Sequence, residues 1–195
     1  MARPTLILFA RAPAIGVGKS RLARDIGRVE AWRLYRGFLA DLLRRLEDPR
    51  WRLVVRLAPD RGRLVGRRCE PQGRGDLGRR LERALRRHGR GPVAVVGADS
   101  PELTRAHVAA AFEGARRRGA ALGPAEDGGF WILALSPARA RRLDLEGVRW
   151  STDQAFADAW RALGGKAERL GRMADIDDGA ALSAYRSRTR CRPRR

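Results

Sequence analysis

The chain has 195 residues, 44% hydrophobic and 33% charged. That balance excludes collagenous, low-complexity and wholly disordered classes and suffices for one domain with a full core. The formal charge is +20, from 42 basic and 22 acidic residues, and every basic residue except Lys19 and Lys166 is arginine. No apolar run approaches the roughly 20 residues that span a bilayer, and the start Met-Ala-Arg-Pro-Thr lacks the apolar stretch of a signal peptide. The chain reads as soluble and cytoplasmic, without a membrane partner.

Thr5-Leu-Ile-Leu-Phe9 is a short apolar run of strand formers that feeds the glycine-bearing loop Arg11 to Gly18. Helical spacing follows at Leu22 and Ile26, then at Leu34, Phe38, Leu42 and Leu46. Trp51 to Ala58 predicts a second strand, and Leu77, Leu81 and Leu85 mark a helix that Asp76 can cap. Pro92 to Val96 is a third strand, ending at Gly97-Ala-Asp99. Thr104 can cap a helix whose apolar face holds Val108, Ala111, Phe112 and Ala115. Ala120 to Pro124 and Phe130 to Leu135 read as strands around Glu126-Asp-Gly-Gly129, and Ser151-Thr152 can cap a helix carrying Phe156, Ala159, Trp160 and Leu163. Strands alternate with helices, which predicts an α/β/α sandwich with a mainly parallel sheet. Ligands then bind outside the carboxyl ends of the strands. The domain is expected to span 1–185, with 186–195, six of whose residues are arginine, as a flexible tail.

So basic a chain raises nucleic acid as a partner. Yet the arginines are spread along the chain, with no nucleic-acid-binding motif and no aromatic stacking series. A non-catalytic nucleic-acid-binding module is therefore the last-ranked reading. Cys69 and Cys191 give neither a zinc pattern nor a disulfide framework. His88 and His107 are isolated and read as surface residues.

Gly18-Lys19-Ser20, after a strand and before a helix, imitates a Walker A motif, but the motif's first glycine would fall at Pro13. Proline has no N–H to give a phosphate. The local physics survives: a glycine turn, a helix N-terminus and a lysine make a good anion site. Arg11, Lys19 and Arg21 are cations around that turn, although Arg11 and Arg21 can also be solvated surface. Asp99 follows a strand end, where an aspartate can hold a hard divalent cation or cap the turn of Ser100 and Pro101. Asp127 precedes two glycines and can bind an acceptor, serve a metal's outer shell, act as general base, or merely cap its turn.

Six segments form one pattern: Phe9-Ala-Arg-Ala-Pro13 with Gly16 and Lys19-Ser-Arg-Leu22; Gln72-Gly-Arg-Gly-Asp-Leu-Gly78; Gly97-Ala-Asp-Ser-Pro-Glu-Leu-Thr104; Leu122 to Phe130; Trp150-Ser-Thr152; and Ala174-Asp-Ile-Asp-Asp178. Their order and spacing, over about residues 4 to 185, resemble a family of small bacterial GT-A-type transferases labelled arsenosugar-biosynthesis-type glycosyltransferases. More distantly the chain is similar to molybdenum-cofactor and phospholactate guanylyltransferases. The resemblance implies a nucleotide-diphosphosugar-transferase fold and a Mg²⁺- or Mn²⁺-dependent reaction of a nucleotide or nucleotide-sugar donor with a small-molecule acceptor. Glycosyl transfer leads, and nucleotidyl transfer from an NTP is the alternative. It implies catalytic roles for Lys19 and Asp127, and nucleotide or phosphate contacts from Arg11, Gly16, Lys19, Arg21, Asp76 and Ser100. It implies metal ligation by Asp99 and Asp177, with Asp175 the competing choice. Glu126, Gly128, Ser151 and Thr152 would line the acceptor pocket, although Trp150-Ser-Thr152 also reads as a helix cap beside a core tryptophan. Asp178-Gly179 stands where relatives commonly carry Thr-Pro.

Overall fold

The computed structural model describes residues 2–16 and 18–190. The elements in chain order are β1 (Thr5–Arg11), α1 (Ser20–Ile26), α2 (Arg28–Leu46), β2 (Arg52–Ala58), β3 (Glu70–Pro71), α3 (Leu77–His88) and β4 (Val93–Gly97). Then come α4 (Arg105–Arg118), β5 (Ala120–Pro124), β6 (Phe130–Leu135), α5 (Pro137–Arg142), α6 (Ala155–Ala162), β7 (Glu168–Arg169) and α7 (Gly179–Arg190). The strands form one sheet in the order β3-β2-β1-β4-β6-β5-β7. All neighbours pair in parallel except β6, which runs antiparallel to both β4 and β5. The expected mainly parallel α/β/α sandwich is what forms.

Side-chain alternation along each strand builds two cores. Leu6, Leu8 and Ala10 of β1 pack with Leu39, Leu42 and Leu46 of α2 and with Val108 and Ala111 of α4. Ile7 and Phe9 face the other way, onto Leu81 and Leu85 of α3 and Ala140 of α5. A third cluster, Leu22, Ala31, Ile176 and Leu182, ties α1, α2 and α7 together.

Several local expectations need correction. The four-residue steps through Leu34 and Phe38 follow the wrong stripe of α2. The sheet-facing stripe holds Tyr35, Leu39, Leu42 and Leu46, while Leu34 and Phe38 pack on the third cluster. α2 therefore carries two apolar faces. Gly27, at φ 86, separates it from α1. His88 is not a surface residue but 9% exposed. It continues the Leu81-Leu85 stripe of α3 and sits between Arg52 and Glu70, with Nδ1 at 3.0 Å and Nε2 at 3.2 Å from them. Ser151 and Thr152 do not cap α6, whose N-cap is Gln154. Ser151 instead takes a left-handed turn at φ 61, and Thr152 Oγ1 donates to the Arg149 carbonyl. α7 continues to Arg190, five residues into the segment read as a tail, and 191–195, with Cys191, lie outside the described residues.

Candidate functional site

The carboxyl ends of β1, β2 and β4 open onto a cleft of about 750 Å³. Because β6 is reversed, the loop between β5 and β6 meets the cleft at the same end of the sheet. The segment after β7 follows it there: Met173 N donates to Pro124 O at 3.0 Å, and Ile176 N donates to Asp99 O at 3.1 Å.

Lys19 is at the centre of the charged end. It precedes α1 in a left-handed conformation, φ 49 and ψ 40. Its ammonium lies 2.6 Å from Asp99 Oδ1 and 2.7 Å from Asp177 Oδ1, and donates to the Ile176 carbonyl at 2.6 Å. The side chain is 11% exposed. Burial by itself would lower its pKa, but the two carboxylates together outweigh burial and raise it. Arg11 reaches the cleft from the end of β1. Its N–H donates to Tyr35 Oη at 3.0 Å, and the phenol donates back to its carbonyl at 2.9 Å. Burial and nearby Asp99 push the Tyr35 phenol up to about 12, so it stays a neutral hydrogen-bonding group. Gln72 spans the neighbouring strand ends, donating to Ala10 O at 3.0 Å and Arg56 O at 3.2 Å, while its own oxygen accepts from Arg80.

Asp127, Asp175 and Asp177 bring one carboxylate oxygen each to within 4.8 Å of one another. Burial, then Asp127 and Asp177, push Asp175 up to about 6. Three converging carboxylates are an electrostatic cost that a cation relieves, and hard oxygen donors suit Mg²⁺ or Mn²⁺. The donor set therefore fits the metal that the resemblance implies. Ile176, between the two inner aspartates, is 2% exposed in the third cluster, so an apolar anchor fixes both acids. Asp178 caps α7, accepting from Ala181 N at 2.8 Å, and Gly179 N donates to Asp25 at 2.7 Å. The departure from Thr-Pro thus still starts a helix.

The opposite wall is aromatic. Trp150 meets Phe130 edge to face, with ring centroids 6.0 Å apart. It also lies against α3 at Gly78, where an added Cβ would be 3.0 Å from the indole nitrogen.

Of the residues expected in the site, Arg11, Lys19, Asp99, Ser100, Asp127, Ser151, Thr152 and Asp177 line the cleft. Gly16, Arg21, Asp76, Glu126 and Gly128 do not. Gly16 shapes the turn at φ 79, and Arg21 is exposed on α1. Asp76 caps α3 by accepting from Arg79 N at 2.8 Å. Glu126 is exposed, its N–H donating to Met173 O at 3.1 Å. Gly128, at φ 86, is a close-approach glycine: a Cβ there would lie 2.3 Å from Asp153 Cα. Asp127 does serve its own turn, accepting from Gly129 N at 2.8 Å, yet it also joins the acidic group. Asp175 stands beside Asp177 rather than in competition with it. The sequence assigns no site role to Tyr35, and none to Gln72 and Phe130 although both lie in the segments that carry the resemblance. A stripe of Tyr35, Leu39, Leu42 and Leu46 is the available signal for the first, and membership of those segments is the signal for the other two.

The fold is that of nucleotide-diphospho-sugar transferases and nucleotidyltransferases. A protein from Desulfovibrio desulfuricans G20, provisionally named a nucleotide-diphospho-sugar transferase, matches 98% of this chain and 90% of its own at 24% identity, with a TM-score of 0.84. A CMP:2-keto-3-deoxy-manno-octonic acid synthetase, solved with CTP, matches 97% of this chain and 99% of its own at 12% identity and a TM-score of 0.59. Rv0371c from Mycobacterium tuberculosis H37Rv, solved with manganese, matches 94% of this chain and 97% of its own at 16% identity and a TM-score of 0.55. At these identities the likeness carries the fold alone. No curated protein matches the sequence significantly. No helix among the described residues is long and apolar enough to cross a membrane. Residues 42–152 match one family model, and the chain belongs to that family, described as uncharacterized proteins conserved in bacteria (DUF2064).

Proposed function

We propose that the chain is a metal-dependent transferase that moves a group from an activated nucleotide donor to a small acceptor. The observation that carries this reading is the meeting of Lys19, Asp99, Asp127, Asp175 and Asp177 in one cleft at the strand ends. Asp177, together with Asp99 or Asp175, would hold a divalent cation, which supplies counter-charge to a diphosphate. Arg11 and Lys19 bind phosphate oxygens and stabilise the charge that grows on the leaving phosphate. Asp127, on the exposed rim, takes the proton of the acceptor. The aromatic wall with Ser151 and Thr152 orients the acceptor.

Glycosyl transfer is the leading form, supported by the provisional name of the Desulfovibrio protein. The bond from the sugar carbon to the donor phosphate breaks, a bond from that carbon to the acceptor forms, and a nucleoside phosphate leaves. Nucleotidyl transfer is favoured by a different observation, the likeness to a synthetase solved with CTP. There the acceptor attacks the α-phosphorus and pyrophosphate leaves. A thermal-shift screen of nucleotides and nucleotide sugars, with and without Mn²⁺, tests the shared reading through ligand-linked stability. A metal-dependent shift that Asp177→Asn abolishes is expected. No shift with any nucleotide, beside salt-sensitive binding to random RNA, overturns the reading in favour of an arginine-driven nucleic-acid binder. Assay of pyrophosphate against nucleoside diphosphate then separates the two forms.

A further inference from the structure

The three N–H bonds of the Lys19 ammonium have three acceptors: Asp99 Oδ1, Asp177 Oδ1 and the Ile176 carbonyl. In this arrangement none is left for a phosphate. Holding the donor and holding the carboxylates therefore exclude each other. Asp177 is also a member of the three-acid group with Asp127 and Asp175. A cation taking Asp177 competes with the ammonium for the same negative charge. The ammonium is a compact point charge with rotatable donors, so it can exchange partners without the fixed fork that arginine requires. It follows directly on Gly18, at φ 74, in a turn that also contains Gly16. Lysine stands here in a chain whose other lysine is Lys166 and whose remaining cations are all arginine.

Resting on the metal-dependent transferase reading, we propose that Lys19 is a displaceable internal counter-ion. It bridges Asp99 and Asp177 before the donor binds, gives up Asp177 when a divalent metal takes that carboxylate, and then pairs with the phosphates of the donor. Metal loading and donor capture are coupled through one side chain. By linkage, whatever the donor adds to metal affinity through Lys19, the metal adds to donor affinity.

The test measures Mn²⁺ binding to the nucleotide-free full-length chain, read from the paramagnetic resonance of free Mn²⁺. Lys19→Met removes the competing charge and should tighten binding about tenfold, a change of about 1.4 kcal/mol. Lys19→Arg keeps the charge and should stay near the wild type. A second readout needs no variant. Amine acylation followed by peptide mass analysis compares Lys19 with exposed Lys166 as internal reference. Lys19 should label slowly without metal and speed up as Mn²⁺ is added, with the midpoint of Mn²⁺ binding. A nucleoside diphosphate added with Mn²⁺ should slow it again. Equal Mn²⁺ affinity in wild type and Lys19→Met, or labelling that Mn²⁺ does not move, overturns the counter-ion while leaving the transferase reading standing. Labelling that stays fast with the nucleotide overturns the transfer to phosphate. Absence of Mn²⁺ binding in wild type and Lys19→Met alike overturns both readings.

Discussion

Ile176 is buried between Asp175 and Asp177, against Leu22, Ala31 and Leu182. Its side chain touches no substrate in our reading, yet its packing sets the position of both carboxylates. Ile176→Ala should cost about 2–5 kcal/mol and weaken Mn²⁺ binding, whereas Ile176→Val should cost about 0.5–1.5 kcal/mol and leave metal binding intact. Chemical denaturation and Mn²⁺ titration of the two variants check this; an alanine variant that binds Mn²⁺ like the wild type would detach the anchor from the site. Tyr35 makes the same argument for Arg11. Tyr35→Phe leaves the Arg11 N–H and carbonyl without the phenol, at about 1–3 kcal/mol, and should raise the donor KM by loosening the end of β1. An unchanged KM with a lowered Tm would reduce Tyr35 to stability alone. These two residues show why the site was only partly legible. Lys19, Asp99 and Asp177 carry chemistry that a motif displays. Ile176 packs on Leu22 and Ala31 from the far end of the chain and Tyr35 bonds Arg11 from another element, partners that no local pattern displays even where an apolar stripe marks Tyr35.

At the scale of elements, α3 decides between two readings of Asp76. The carboxylate accepts from Arg79 N and is absent from the cleft lining. Asp76→Ala should therefore lower stability by about 1 kcal/mol with the donor KM unchanged. A raised KM at unaltered Tm would instead assign Asp76 to ribose or base. The long elements were legible because their signals are local: apolar alternation in β1 and β4, caps at Asp76 and Thr104, and helical spacing in α3 and α4. The short ones were not. β3 and β7 have two residues each and exist because a neighbouring strand offers a free edge. The reversal of β6 was equally hidden, since a six-residue apolar run reads alike in either direction. That reversal matters for function, because it brings the Asp127 loop to the end of the sheet where β1 and β4 finish.

Over the whole molecule, 22 acids face 42 basic residues, so single carboxylates serve several arginines. Asp158, whose side chain is 5% exposed, pairs with Arg149 and Arg161, and Asp48 pairs with Arg50 and Arg105. The hydrogen bonds from Arg149 hold Asp158 well below the ordinary carboxylate range, and those from Arg50 bring Asp48 down to about 2. Both folded-state values lie below the unfolded one of 3.8, so this contribution is complete above 3.8 and is lost as pH falls toward 2. His88 acts earlier. Burial lowers its pKa from 6.5, only partly offset by Glu70, so below 6.5 the unfolded chain binds a proton that the folded chain resists. Stability should change in two stages on acidification. From 6.5 downward His88 and His107, both lowered by burial, cost stability, while Asp175, raised to about 6, acts in the opposite sense. Below 3.8 the paired aspartates add a steeper loss. Urea denaturation from about pH 8 to about pH 2 would resolve them. His88→Gln should shrink the upper stage to the share of His107 and leave the lower, and Asp158→Asn should shrink the lower stage to the share of Asp48 and leave the upper. An upper stage that survives His88→Gln in full would assign that titration to His107. A lower stage that survives Asp158→Asn in full would mean that protonating the buried aspartate costs nothing, and that its two arginines are held by packing rather than by charge.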